Sequence, residues 1–312
     1  MSTDAGRVAV LAGGLSLERD VSLRSGRRIA EALERRAHDV DLVDLDSSLV
    51  PALLERNYSA VVLALHGRAG EDGTVQGLLD TLDMPYSGPD PTASALAWDK
   101  AIFKGLVSRQ GLATPAWASV SSDAIRDLGG AHALPALSEQ LGGPMVVKPS
   151  QGGAFMGVRF VDSPDHLSDA LVGAFSYHNV VLVERFISGT EVAITVLDGE
   201  PLPPVEIVPK GEHYDFAARY TAGATDFYVP ARLDPASAKQ AQETALRAME
   251  LTGCRHLVRA DLIIDDDGVP WLLELDTCPG MTETSLAPMS AEAGGVGFED
   301  LCERLVELAR RD

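Results

Sequence analysis

Positive charge is scarce in this chain. Lys and Arg together number 26 against 46 for Asp and Glu, a formal net charge of −20. Such a surface repels nucleic acid and anionic membranes, so neither is an expected partner. An anionic substrate would need cations concentrated at one place. Cysteine is nearly absent. Cys254, Cys278 and Cys302 are odd in number and widely spaced, which excludes a disulfide framework and zinc-site spacing. No stretch approaches the length of a membrane span. The opening "MSTDAGRVAVLAGG" lacks the basic region and apolar length of a secretory signal, so the cytosol is the expected compartment. Aromatics make up only 5% of residues, but 46% are hydrophobic, enough for an aliphatic core. At 312 residues, roughly two or three compact units are expected. Neither a Walker P-loop nor a dinucleotide fingerprint occurs, and there is no internal repeat or low-complexity tract.

What is present alternates. "RVAVLAGG" reads as a buried strand ending in glycines, Ser22 to Arg36 carries helical spacing, and "HDVDLVDLD" and "AVVLALHG" read as further strands. Such alternation predicts a parallel α/β layer, ending where Pro and Gly cluster in "PYSGPDPTAS". One helix is expected from about Thr92 to Gln110. "GGPMVVKPSQGGAFMGVRFVDSP" then reads as strand, glycine loop and strand, with Ser163 and Pro164 opening the next helix. "VVLVERF", "EVAITVL" and "LPPVEIVP" are strands. "KGEHYDFAARYTAGATDFYVPARL" has little periodicity and reads as a functional loop. Helices follow at Asp234 to Thr252 and at Phe298 to Ala309. The expected units are 1–90, an N-terminal α/β domain; 91–183, with the glycine loop; and 184–312.

Two features carry chemistry. In "RADLIIDDDGVPWLLELD", Asp266, Asp267 and Gly268 supply hairpin turn chemistry. Alternation along the strands then places Arg259 and Asp261 on one face with Glu274 and Asp276, and Leu273 and Leu275 toward the core. The expected register sets Arg259 across from Glu274, with Asp261 diagonal to it. Converging carboxylates repel unless something positive binds them, and Mg²⁺ shared with a nucleotide is the natural partner. A solvated acidic strand face is the alternative. The second feature is "KPSQGGAFMGV". Backbone N–H groups around Gly152 and Gly153 can cradle phosphate oxygens, with Lys100 and Lys148 as point charges. A surface lysine and a plain turn are the competing explanations. In "VERFISGTEV", Glu184 and Glu191 flank Phe186 and Ile187, a pattern that suits adenine and ribose hydroxyls but equally an ordinary strand and turn.

With these pieces in order, the chain resembles the D-alanine–D-alanine ligase family of the ATP-grasp fold over nearly its whole length. "GGLSLERDVSLRSG", "LHGRAGEDGTVQGLLD", "YSGPDPTASALAWDK", "YDFAARYTAGATDFYVPA" and "ELDTCPGMTETSL" carry the likeness. The resemblance implies an α/β ATP-grasp architecture. It also implies that ATP phosphorylates the carboxylate of one D-alanine and that the amine of a second attacks the acyl phosphate. By motif, Lys100, Lys148, Gly152, Gly153 and Arg219 would hold phosphates, and Glu184, Phe186, Ile187 and Glu191 would frame adenosine. Asp261, Glu274 and Asp276 would bind two Mg²⁺ or Mn²⁺. Glu18 would pair with the first ammonium group and His66 with that amino acid's carboxylate. Arg259 and the Gly280 N–H would form an oxyanion hole, Ser285 and the Leu286 N–H would hold the second carboxylate, and Tyr220 would close over the site. A homodimer is implied as well.

Three positions depart from the family pattern. Asp276 stands where asparagine is usual, and Arg219 where lysine is. Ala154 replaces a serine whose hydroxyl ties the glycine loop to Tyr220 and Glu18. One neutral hydrogen bond is worth about 0.5–1.5 kcal/mol net, enough to loosen closure and too little to abolish the chemistry. A paralogue joining a different amino acid pair and a catalytically silent nucleotide-binding protein are the competing readings.

Overall fold

The computed structural model describes residues 6–211 and 223–311. Arg219 and Tyr220 lie outside the described residues. The N-terminal unit is a three-stranded parallel sheet of β1 (Arg7–Ala12), β2 (Val40–Asp44) and β3 (Tyr58–Leu63), ordered β2-β1-β3. Parallel strands covered on both faces should be apolar throughout. Accordingly Val8 to Ala12 are all fully buried. Helices α1 (Arg19–Arg35), α2 (Leu49–Glu55) and α3 (Thr74–Thr81) connect and flank this sheet.

The predicted helix from Thr92 to Gln110 is two helices, α4 (Pro91–Trp98) and α5 (Lys100–Arg109). The break is Asp99, whose extended backbone ends α4 while its carboxylate accepts the N–H groups of Ala101 and Ile102 and so caps α5. Asp99 also accepts hydrogen bonds from Ser150 Oγ at 2.6 Å and Gln151 Nε2 at 3.1 Å. The kink therefore anchors the glycine loop.

A second sheet, ordered β4-β7-β5-β6, is antiparallel: β4 (Trp117–Ser121), β5 (Met145–Pro149), β6 (Arg159–Val161) and β7 (Val180–Arg185). Helices α6 (Ser122–Asp127), α7 (Leu134–Leu141) and α8 (Leu167–Phe175) belong to this unit. Ser163 does cap the turn before α8, but that turn, Pro164–His166, is 3₁₀. The third sheet holds β8 (Thr190–Leu197), β9 (Glu200–Pro201), β10 (Val205–Pro209), β11 (Thr225–Tyr228), β12 (Leu257–Ile264) and β13 (Pro270–Asp276). Its order is β11-β10-β8-β12-β13, with β9 beside β8. Strand β11 lies within the stretch expected to be loop, paired to β10 from Glu206↔Tyr228 to Pro209↔Thr225. Helices α9 (Pro235–Thr252), α10 (Leu286–Ala293) and α11 (Phe298–Ala309) complete the described chain.

The sheets cut the chain differently from the expected units. Strand β7 runs through the 183/184 boundary, so the change of sheet falls between Arg185 and Thr190. Helices α4 and α5 pack through Ala93, Ala97, Phe103 and Val107 on the third sheet rather than the second. Helix α11 returns to the first, where Leu301, Leu305 and Val306 join the core with Ile29 and Leu33 of α1. Each such buried leucine or valine contributes about 1.5–3 kcal/mol over exposure, which clamps the two ends of the chain together. Among the described residues, no helix is long and apolar enough to cross a membrane.

Candidate active site at the meeting of three sheets

The hairpin forms with a different register from the expected one. Arg259 pairs with Asp276 and Asp261 with Glu274, and a bulge between Asp261 and Leu262 shifts the pairing beyond. The bulge also changes which leucine faces inward. Leu272 and Leu275 are buried in the core, whereas Leu273 lines a cavity. The convergence of charge survives. Arg259, 3% exposed, donates from Nε and Nη2 to Asp261 at 2.7 and 2.8 Å, and its Nη1 lies 2.8 Å from Asp276 Oδ2. Burial disfavours the guanidinium, but Asp261 and Asp276 hold it charged and push its pKa well above the ordinary value. Lys100 Nζ sits 3.2 Å from Glu274 and donates to the Gly152 carbonyl at 2.7 Å, tying the hairpin to the glycine loop.

Two cavities meet along this seam. The larger, about 490 Å³, lies between the second and third sheets. It brings together Lys148, Glu184, Phe186, Ile187 and Glu191 with Asp261 and Glu274. Phe155, Met156, Phe160 and Ile207 add apolar wall. The smaller, about 100 Å³, lies against the first sheet and collects Glu18, His66, Arg259, Asp276, Gly280, Ser285 and Leu286. Lys100, Gly152, Gly153 and Glu274 line both. All the site residues read from the sequence that lie within the described range are thus assembled around these two cavities.

Local geometry explains several identities. A Cβ at Gly153 would come to 3.0 Å from Glu18 Oε2, so any larger residue there would press on that carboxylate. A Cβ at Gly280 would meet Ser285 Oγ at 2.8 Å. Ser285 stands at the N-cap position of α10 without making a cap hydrogen bond; its hydroxyl accepts from the Thr282 N–H at 3.0 Å. His66 is 6% exposed. Burial opposes its imidazolium, but Glu71, 3.7 Å from Nδ1, holds the pKa above the ordinary value. Its Nε2 has no hydrogen-bond partner among the described residues. Ala154 and Phe155 both adopt left-handed backbone, at φ 52° and 58°. Ala154 is buried in the wall of the smaller cavity, and Phe155 packs on the cluster of Ala193, Val205, Ile207 and Leu286.

The oxygen donors Asp261, Glu274 and Asp276 have the chemistry of a hard divalent cation, yet each faces Arg259 or Lys100. No group of three or more His, Cys, Asp or Glu among the described residues closes into a metal cage. Sequence reading missed Glu71 and Lys104. Glu71 lies in the quoted "HGRAGED" run, five residues after His66. Lys104 lies one turn past Lys100 and is fully buried.

Two antiparallel sheets closing on a nucleotide-sized cavity, beside a parallel α/β unit, define an ATP-grasp enzyme. The comparisons narrow this. Residues 106–307 match the family model "D-ala D-ala ligase C-terminus" and 51–89 match "D-ala D-ala ligase N-terminus". A D-alanine–D-alanine ligase of Anaeromyxobacter sp. (strain Fw109-5) is 44% identical over 307 residues, covering 96% of each chain. That of Magnetococcus marinus is 43% identical, covering 97% of each. The Bacillus anthracis ligase complexed with ATP superposes with a TM-score of 0.84 at 30% identity, covering 98% of each chain. The VanG D-Ala:D-Ser ligase from Enterococcus faecalis also reaches 0.84, at 26% identity, covering 97% of this chain and 99% of that one. The chain belongs to the D-alanine–D-alanine ligase family.

Proposed function

We propose that the protein joins two D-alanines into D-alanyl-D-alanine at the expense of ATP, in the cytosol and as a homodimer, for peptidoglycan precursor synthesis. The observation that carries this is the seam. A nucleotide-sized cavity and a small charged cavity share Lys100, Gly152, Gly153 and Glu274, so a terminal phosphate and a carboxylate would meet there.

ATP occupies the larger cavity, adenosine between Glu184, Phe186, Ile187 and Glu191, phosphates toward Lys148, Lys100 and the loop N–H groups. Glu18 takes the ammonium of the first D-alanine, and His66 Nε2 donates to its carboxylate. A carboxylate oxygen attacks the γ-phosphorus, and the bond to the β–γ bridging oxygen breaks with its electron pair leaving on ADP. The amine of the second D-alanine, its carboxylate held by Ser285 and the Leu286 N–H, then attacks the acyl carbon. Arg259 and the Gly280 N–H face the resulting oxyanion before phosphate departs. Mg²⁺ or Mn²⁺, held by Asp261, Glu274 and Asp276 together with nucleotide oxygens, would neutralise charge during phosphoryl transfer. Arg219 is assigned to the phosphates and Tyr220 to closure, which keeps water from the acyl phosphate.

ADP and dipeptide formation with D-alanine, D-serine and D-lactate as acceptors tests the reading. D-alanine should dominate. A preference for D-serine would move the protein to a paralogous pair, and no ADP with any of them would make it catalytically silent.

A further inference from the structure

A lysine with no solvent exposure lies behind the larger cavity and outside its lining. Lys104 Nζ donates to Thr114 Oγ1 at 2.6 Å, and Thr114 in turn donates to the Leu272 carbonyl at 2.7 Å. The same Nζ is 3.1 Å from Glu184 Oε1, while Lys148 Nζ is 2.9 Å from Glu184 Oε2. One buried carboxylate, 3% exposed, is therefore shared by two ammonium groups from different elements, α5 and β5. The Trp117 ring, 5.3 Å from Lys104 Nζ, closes that side.

This arrangement solves a specific problem. If Lys148 turns to phosphate, a buried Glu184 with no other cation would be left uncompensated, at a cost that opposes binding. We propose that Lys104 is a positioning residue for nucleotide binding: it keeps Glu184 neutralised and in place, so that Lys148 can leave that carboxylate for the phosphates. The inference rests on the phosphate role assigned to Lys148 above. Lys104 cannot reach the nucleotide itself, since Thr114 and Glu184 fix its ammonium on the far side of the carboxylate.

The charged groups facing Lys104 are Glu184 from β7 and Lys148 from β5. Burial pushes its pKa down to about 8, with Glu184 opposing and Lys148 reinforcing that shift. Burial alone would raise the pKa of Glu184, but Lys148 and Lys104 hold it below the usual carboxylate value. When Lys148 moves away, Lys104 loses a like-charged neighbour and binds its proton more tightly. Nucleotide binding then takes up a proton above about pH 8, and affinity falls as pH rises.

Calorimetric titration of ADP with Mg²⁺ tests this. In the wild type, affinity should be flat from about pH 7 to 8 and then weaken, by up to about tenfold per pH unit for one linked proton. Lys104→Met should bind ADP at least about tenfold more weakly at pH 7, lose the alkaline slope, and leave the KM for D-alanine unchanged. A Lys104→Gln variant, shown folded by a thermal melt, that binds ADP within about twofold of the wild type at pH 7 would overturn the inference. So would a folded Lys104→Met that binds ADP normally while Lys148→Met does not. If Lys148→Met itself binds ADP normally, the phosphate role fails and this inference falls with it.

Discussion

The two cavities are built by different physics. The larger lies between two antiparallel sheets and is walled by apolar side chains and backbone, with ions such as Lys148, Glu184, Glu191 and Asp261 set among them. The smaller is walled mainly by ions and small residues from the loops after β1 and β3, the glycine loop, the hairpin and the α10 approach, with Trp98 of α4 and Leu286 among its larger apolar side chains. An apolar slot binds by excluding water, so losing one wall residue should weaken binding in proportion to the area lost. A cluster of paired charges acts where charge develops, so losing one member should damage turnover far more than binding.

The widest gap between the two should come from the charged side. Arg259→Met should lower kcat by about 10²–10³-fold, the range for loss of one oxyanion donor, with a much smaller change in KM for ATP. It also strips Asp261 and Asp276 of their cation, so a thermal melt should accompany the kinetics. A comparable loss in KM for ATP with kcat intact would break the comparison. On the apolar side, Phe186→Ala should raise the KM for ATP by about tenfold, from a wall side chain worth about 1.5–3 kcal/mol when fully buried. Its kcat should change less than twofold if the slot only binds.

Smaller effects sharpen the boundary. Ala154 lines the smaller cavity while Phe155, next to it, packs on the third sheet, so this part of the loop is held by apolar contact. Ala154→Ser should change the first-site KM for D-alanine by no more than about tenfold, the scale of one neutral hydrogen bond. Tighter binding indicates a restored tie, whereas weaker binding with a lower melting temperature indicates a rebuilt pocket. The smallest expected effect lies behind the loop carrying Glu18. Asp44 is held down to about 2 by the hydrogen bond from Arg19, with the Gly14 N–H adding to it. A carboxylate depressed on folding stabilises above its ordinary value of 3.8, and that contribution is lost as pH falls toward 2. Asp44→Asn should therefore melt slightly below the wild type at pH 7, and the gap should shrink steadily as pH falls from about 4 through about 2. A gap that persists in acid would contradict this.

Legibility follows the same division. Strands, the acidic hairpin and the last helix, Phe298–Ala309, were readable because their signals are local: alternation, turn residues and apolar spacing. The family motifs named residues on both cavities. The hairpin register was not readable, because a one-residue bulge leaves the charged face intact while exchanging Leu272 for Leu273 in the core. The break at Asp99 was missed although its cap on Ala101 and Ile102 is local; what was not readable is that Ser150 and Gln151, about fifty positions on, also bond to it. Lys104 was missed for a related reason. Its burial exists only once Thr114, Trp117 and Glu184 close around its ammonium, and nothing in its immediate sequence distinguishes it from a solvated lysine.

The central claim is that a carboxylate in the smaller cavity takes phosphate from a nucleotide in the larger. D-alanine labelled with oxygen-18 in its carboxylate tests it in one turnover. The account predicts one labelled oxygen in the released phosphate for each dipeptide formed, because the bridging oxygen of the acyl phosphate leaves with phosphorus. Dipeptide accompanied by unlabelled phosphate would contradict it.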